Sequence, residues 1–454
     1  MARVRKYRNM KQLVLKTLNL LILGYIWIAR RIDYYFIKSV PSLTPNDTSI
    51  DPYPAANAIR ERAPVIRSYV NAGWIVTGYN EVTDILREQR VTNDFTSNKI
   101  MLRYVQYAAE GYKIMNIDYP TMLTQDPPDH TRLRKLVAKG FLHKYIQSLA
   151  PTIGQLVDEL LAEIPNPEHF DIMRCLANPL PATVIAEMIG VPVNERHLFG
   201  EWSEDLLNTM DINRPELIKK GGKATAEMRA YLAELTERKR QNPGKDLLSQ
   251  LIDAEEDGDK LTIEELYSTC ILLLVAGHET TTRLIGNCLY LLLKHPEQMR
   301  AARASEDLLM KAIEESLRFE PPLQFTARVV KEDFEFRGAK FKKTQILMLS
   351  LAAANRDPRI FDRPDEFDIT REKLNHVSFG HGIHLCLGMS LARLEAKIVF
   401  QKLFERFPEL TCAEETFEWG KNPMFRGLNQ LHVRRSAAAD FHGSTPSVET
   451  VAAP

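Results

Sequence analysis

The sequence predicts a mainly α-helical chain with small β-sheets, an α+β fold. Residues 145–250 carry helical apolar spacing, interrupted by polar breaks near Pro165–Pro167, Pro192 and Asn242–Gly244. A capping box, Thr262-x-x-Glu265, then opens an apolar-rich run that continues to Lys294, where His295-Pro296 ends it. At 1.5 Å per residue that run is a rod of roughly 50 Å, enough to cross a whole domain. Strand candidates are short: Trp74–Thr77, and a second beginning at Thr326.

Composition bounds the function. Lys plus Arg and Asp plus Glu both total 59, so the formal net charge is zero, and a bulk electrostatic role with nucleic acid is excluded. The cysteines, Cys175, Cys270, Cys288, Cys386 and Cys412, are odd in number and scattered. They read as reduced thiols in a cytoplasmic setting, not as a disulfide framework.

The N-terminal segment, residues 1–40, stands apart. Arg3, Arg5, Lys6, Arg8 and Lys11 precede an apolar run from Leu13 to Ala29, which Arg30, Arg31 and Tyr34-Tyr35-Phe36 follow. Lys16, Thr17 and Asn19 interrupt the run, and it barely reaches the roughly 17–25 residues of a spanning helix. Two readings fit: a helix lying at the inner face of a membrane, or one packed on the protein's own surface. Pro41–Pro54 reads as a linker and Glu81–Glu88 as a helix. From Asp94 to Thr121 apolar residues are irregularly spaced, as in a pocket lining or a packed surface loop. Asp126-Pro127-Pro128-Asp129-His130-Thr131-Arg132-Leu133-Arg134 opens a helix with His130 and Arg134 on one face. Mid-helix, Ala276-Gly277-His278-Glu279-Thr280-Thr281 places a glycine, a carboxylate and hydroxyls among apolar neighbours. Such a placement is costly unless Thr280 bends the helix by bonding to the preceding turn or the groups have a task. Glu315-x-x-Arg318 is an ion pair at helical spacing, and Ser436–Pro454 is small, polar and aperiodic, as disordered tails are.

Chemistry concentrates in Phe379–Gly388, Phe-Gly-His-Gly-Ile-His-Leu-Cys-Leu-Gly. Gly380, Gly382 and Gly388 allow tight turns and close approach of a flat group, and the helical run after Cys386 puts the thiol at a helix N-terminus, where a thiolate is favoured. A buried cysteine, a zinc site built with His376, His381 and His384, and a haem iron held by the thiolate all fit the stretch.

The pattern Phe379-x-x-Gly382-x-x-x-Cys386-x-Gly388 resembles the haem loop of the cytochrome P450 family, and Ala276-Gly277-x-Glu279-Thr280 resembles its oxygen-activation motif. The His130/Arg134 helix and the Glu315/Arg318 pair stand in the family's order, so the resemblance runs from about residue 45 to 435, closest to the bacterial type. It implies the cytochrome P450 fold, with the long central helix over a haem b. Residues 41–435 would form that haem-binding domain between the 1–40 segment and the 436–454 tail. It implies Cys386 as metal ligand, Phe379 in the haem loop, and His130, Arg134, Arg328 and His384 on the propionates. Thr280 and Glu279 would deliver protons beside the oxygen site. Glu315/Arg318 would be tied to the stretch from Asn355 to Phe367, and Phe425–Val433 would form a closing hairpin. The implied activity is insertion of one oxygen atom of O2 into a hydrophobic small molecule. Electrons would come from NAD(P)H only indirectly, through a separate ferredoxin and ferredoxin reductase, docking near Arg132, Lys135, Lys139 and Arg393. Val275, Ala276, Leu323, Phe325 and Phe425 are pocket candidates that read equally as core. The alternatives are a non-enzymatic or gas-sensing haem protein and a peroxide-driven haem-thiolate enzyme. The Glu279-Thr280 pair argues against both.

Overall fold

A computed structural model describes residues 51–435, apart from 70–72, 209–214, 257–258 and 421. The 1–40 segment, most of the expected linker and the 436–454 tail lie outside the described residues; the last expected linker residues already enter a helix, Tyr53–Arg62.

The helices that surround the site are α1 (Asp129–Ala138), α2 (Pro179–Ile189), α3 (His197–Asn208), α4 (Pro215–Gln241), α5 (Ile263–Lys294), α6 (Glu306–Phe319) and α7 (Met389–Arg406). The long α5 begins where the sequence places it. Thr262 Oγ1 accepts from the Glu265 amide at 3.2 Å, and Glu265 Oε2 accepts from the Thr262 amide at 2.9 Å. Cys270, Ile271, Leu274, Ile285, Cys288 and Leu289 along it are fully buried, so α5 is the spine of the main core. Its end follows from Pro296, which starts the next helix.

The main sheet has the order β1-β2-β5-β4-β3, with β1 Val65–Ser68, β2 Gly73–Val76, β3 Val91–Thr92, β4 Phe325–Val330 and β5 Ile346–Ser350. Met348 of β5 lies opposite Ile75 in the parallel pair and Ala327 in the antiparallel one. This register sets Arg328 opposite Leu347 of the central strand β5, where it is buried.

Glu315 and Arg318 of α6 are both fully buried and form a two-pronged pair at 2.7 and 2.8 Å. Arg318 also donates to the carbonyls of Asn355, Pro364 and Glu366, while Glu315 Oε1 accepts from Arg371 Nε and the Asp368 amide. The pair therefore fastens the irregular stretch before the cysteine loop to the helical core.

Two segments differ from the sequence reading. Residues 94–121 are not wholly irregular, for Lys99–Ala108 is a helix. Val105, Ala108 and Ala109 bury against Ile218, and the small alanines conceal its apolar face from a count of large residues. Nor is the chain's end a simple hairpin. His432–Arg435 pairs with Leu410–Cys412 on one side and His169–Asp171 on the other, while Leu428 and Phe425 bridge to Trp419 and Leu323. The bound partner is the earlier strand His169–Asp171, too short to stand out as a strand on its own.

Candidate active site

The cysteine loop is folded by its glycines. Gly380 and Gly382 have φ of +73° and +71°, and a Cβ on Gly382 would stand 2.6 Å from the Leu86 carbonyl. The Cys386 amide donates to the Phe379 carbonyl at 2.9 Å, closing the loop just before α7. Burial pushes the Cys386 thiol up, and the amides of Gly388 and Met389 with Arg134 and Arg393 only partly counter it. A metal cation on the sulfur would favour the thiolate further.

The loop's imidazoles do not converge on Cys386 as zinc ligands would. His376 lies 3.1 Å from Glu314, His381 lies 2.6 Å from Arg87, and His384 packs edge-on to His130 at 4.5 Å. Among the described residues no group of three His, Cys, Asp or Glu side chains is placed to hold a metal ion. The zinc reading falls on this geometry.

What surrounds Leu385-Cys386 is a cluster of basic side chains that Asp126 influences only at a distance, with no carboxylate in salt-bridge contact among the described residues. His130 is buried, and neither ring nitrogen has a partner. Arg134 Nη2 donates to the Leu385 carbonyl at 2.6 Å. Arg328 is 4% exposed, donates only to Thr326 Oγ1 and the Ala327 carbonyl, and is lowered to about 10 by burial. His384 is lowered to about 3, by burial and then by Arg328, His130 and Arg134. Arg328 and His130 are buried, the one without a counter-charge in contact and the other with both ring nitrogens unpaired, which is costly unless an anion meets them. A flat group carrying carboxylates answers both the orphaned nitrogens and the glycine-floored loop, so the residues fit haem.

Phe379 lies under the Arg393 guanidinium at 4.6 Å, and Arg393 grips Glu314 at 2.6 and 2.8 Å. Glu314 is held at about 2 despite its burial, because Arg393 and His376 bind its charged form. Arg132 likewise pairs with Glu265 of α5. Two of the four basic residues expected at a docking face are thus committed inside the fold, which their sequence positions do not reveal.

On α5, Thr280 Oγ1 donates to the Ala276 carbonyl at 2.7 Å. Glu279 Oε1 accepts from Arg283 at 2.6 and 2.8 Å, and Arg283 donates onward to the Leu428 carbonyl at 2.9 Å. The sequence reading missed Arg283; its signal was the i, i+4 spacing from Glu279. Ala276 is exposed, Val275, Leu323 and Phe325 are half-buried, and Phe425 is buried and bridges to Leu323.

Comparison with known proteins agrees with this site. Residues 75–425 match the family described as Cytochrome P450. Cytochrome P450 107B1 of Saccharopolyspora erythraea is 43% identical over 368 residues, 80% of this chain and 89% of its own length. Cytochrome P450 monooxygenase PikC of Streptomyces venezuelae is 40% identical over 397 residues, 86% of this chain and 92% of its own. Among solved structures, P450BioI in complex with a hexadec-9Z-enoic acid-ligated acyl carrier protein superposes with a TM-score of 0.78 at 37% identity, covering 86% of this chain and 100% of that one. On the fold, the cysteine loop and these matches, the chain belongs to the cytochrome P450 family, and is a haem-thiolate monooxygenase of small molecules.

Proposed function

We propose that this chain inserts one oxygen atom of O2 into a C–H or double bond of a hydrophobic small molecule, on electrons from a separate ferredoxin and its reductase. The observation that carries this reading is the basic cluster of His130, Arg134, Arg328 and His384 beside Cys386, in which buried Arg328 has no carboxylate in contact and buried His130 has no hydrogen-bond partner. Haem, when bound, supplies the activation of dioxygen. Cys386 Sγ would be its ligand from the chain, Arg134 and Arg328 would neutralise its carboxylates, and the neutral His130 and His384 would donate hydrogen bonds to them.

The rest is positioning and proton control by side chains. The apolar groove beside Ala276, Val275, Leu323 and Phe325 holds the substrate by burial and selects the bond presented. The solved relative holds an acyl chain on its carrier protein, so carrier-linked and free acyl chains are the first substrates to screen. Thr280 Oγ1 commits its proton to the Ala276 carbonyl and keeps its lone pairs as acceptors. Both Arg283 contacts fall on Glu279 Oε1, which leaves Oε2 as the oxygen that exchanges protons. Thr280→Ala is expected to keep haem and substrate binding while product per electron falls about tenfold or more, the missing electrons appearing as hydrogen peroxide. Full coupling in that variant removes Thr280 from proton delivery.

For the redox partner, the docking proposal rests on the exposed Lys135 of α1, the helix that carries His130 and Arg134, and on the exposed Lys139 just after it. Lys135→Glu with Lys139→Glu should slow reduction by ferredoxin about fivefold at low salt, leaving chemical reduction and substrate affinity unchanged. An unchanged ferredoxin rate places docking elsewhere.

A further inference from the structure

The face of α5 opposite the groove carries a second polar set. Each helical residue turns about 100°, so His278 and Thr282 point away from Ala276 and Thr280. His278 and Thr282 are buried, whereas Ala276 is exposed. His278 Nδ1 lies 2.8 Å from Ser203 Oγ of α3, and Nε2 lies 3.0 Å from the Asn178 carbonyl that precedes α2. Thr282 Oγ1 donates to the Ala177 carbonyl at 3.0 Å.

The Ala177 carbonyl is available for a reason visible in the sequence. Residues Met173–Ala177 form a widened turn in which the Asn178 amide donates to the Met173 carbonyl. Four residues after Ala177 stands Pro181, which has no amide hydrogen to return to the Ala177 carbonyl. Thr282 supplies the donor instead. The same turn seats Met173 against Gly286, where a Cβ would meet its sulfur at 2.5 Å, and Ile185 of α2 lies 3.0 Å from where a Gly277 Cβ would be. His278, Thr282 and Gly286, four residues apart, thus form one stripe along which the turn lies.

The chemistry fixes the imidazole's state. A carbonyl only accepts, so Nε2 carries the hydrogen, and in the neutral ring Nδ1 accepts from the Ser203 hydroxyl. Burial lowers His278 below the ordinary histidine value, in keeping with the neutral form. A neutral histidine meets one donor and one acceptor at once from two different elements. Neither a phenylalanine nor an alanine can do so.

We propose that His278 is a positioning residue for the monooxygenase reaction. Tied to Ser203 and Asn178, it fixes the rotation of α5 that presents Thr280 and Glu279 to the groove. The inference rests on the proposed proton delivery by Thr280. The test compares His278→Phe, His278→Gln, Ser203→Ala and Thr280→Ala as haem-loaded full chains. It reads haem content, the substrate-induced spectral shift, product per electron, and amide hydrogen exchange over 276–282. In His278→Phe the shift should persist, product per electron should fall about fivefold, and 276–282 should exchange about fivefold faster, the size of one lost buried hydrogen bond. His278→Gln, which restores a donor to Asn178, should recover part of both, and Ser203→Ala should lose part of both. If His278→Phe loses thermal stability but keeps parental coupling and exchange, His278 is only structural and the proposal is overturned. If His278→Phe does not fold, Ser203→Ala decides: unchanged coupling and exchange overturn it. Full coupling in Thr280→Ala overturns the reading beneath it, while uncoupling in Thr280→Ala alone overturns only this inference.

Discussion

Glu315→Ala is expected to lower the unfolding free energy by about 3–5 kcal/mol, because it leaves the fully buried Arg318 without its counter-charge. Typical domain stabilities are about 5–15 kcal/mol, so most of the margin goes, and the loop that carries Cys386 goes with it. Glu315 Oε1 alone accepts from Arg318, Arg371 and the Asp368 amide, so the variant frees two guanidinium groups and one amide together. Replacing both partners by apolar residues often rescues a buried pair, but here it should not. The carbonyls of Asn355 and Pro364 would lose the donor that Arg318 gives them, the first of them buried, while that of Glu366 would keep only its bond from Arg371. Denaturant unfolding of the haem-loaded single and double variants checks this. A loss under about 1 kcal/mol in Glu315→Ala would show that the pair does not fasten the stretch before the loop.

The second large effect has two opposite signs. Arg328 is buried with only a hydroxyl and a carbonyl as partners and with no carboxylate in contact. Arg328→Met removes an uncompensated buried charge from the haem-free chain, which should become more stable to heat. The same change removes a charge-assisted bond of about 1.5–3 kcal/mol to a haem carboxylate, so haem affinity should fall roughly 10- to 150-fold. Thermal unfolding of the haem-free protein and haem transfer to an acceptor apoprotein read the two quantities separately. A variant that destabilises both states alike would assign Arg328 to packing and not to the cofactor.

Legibility in the sequence followed the range of the cause. The capping box at Thr262 and Glu265, the glycines before Cys386 and the Glu315/Arg318 spacing are local signals, and each appears in the structure as read. The Lys99–Ala108 helix was hidden because alanine seams, not large side chains, pack it. Arg132 and Arg393 looked like surface charge, for their partners Glu265 and Glu314 lie 133 and 79 residues away. The burial that opposes ionisation of Cys386 against its helix N-terminus is a quantity that a lone sequence does not carry. His278 stood within a motif whose neighbours drew the attention, while its partners Ser203 and Asn178 come from elements far upstream. Arg283 lay one helical turn from Glu279 and was the one missed residue that spacing alone pointed to.

The most direct test of haem ligation by Cys386 is the absorption spectrum of the purified, reduced protein under carbon monoxide. Thiolate ligation predicts a strongly red-shifted Soret band that Cys386→His abolishes while haem stays bound. A parent protein that is colourless and holds zinc, or that shows an imidazole-type haem spectrum unaffected by Cys386→His, would contradict it.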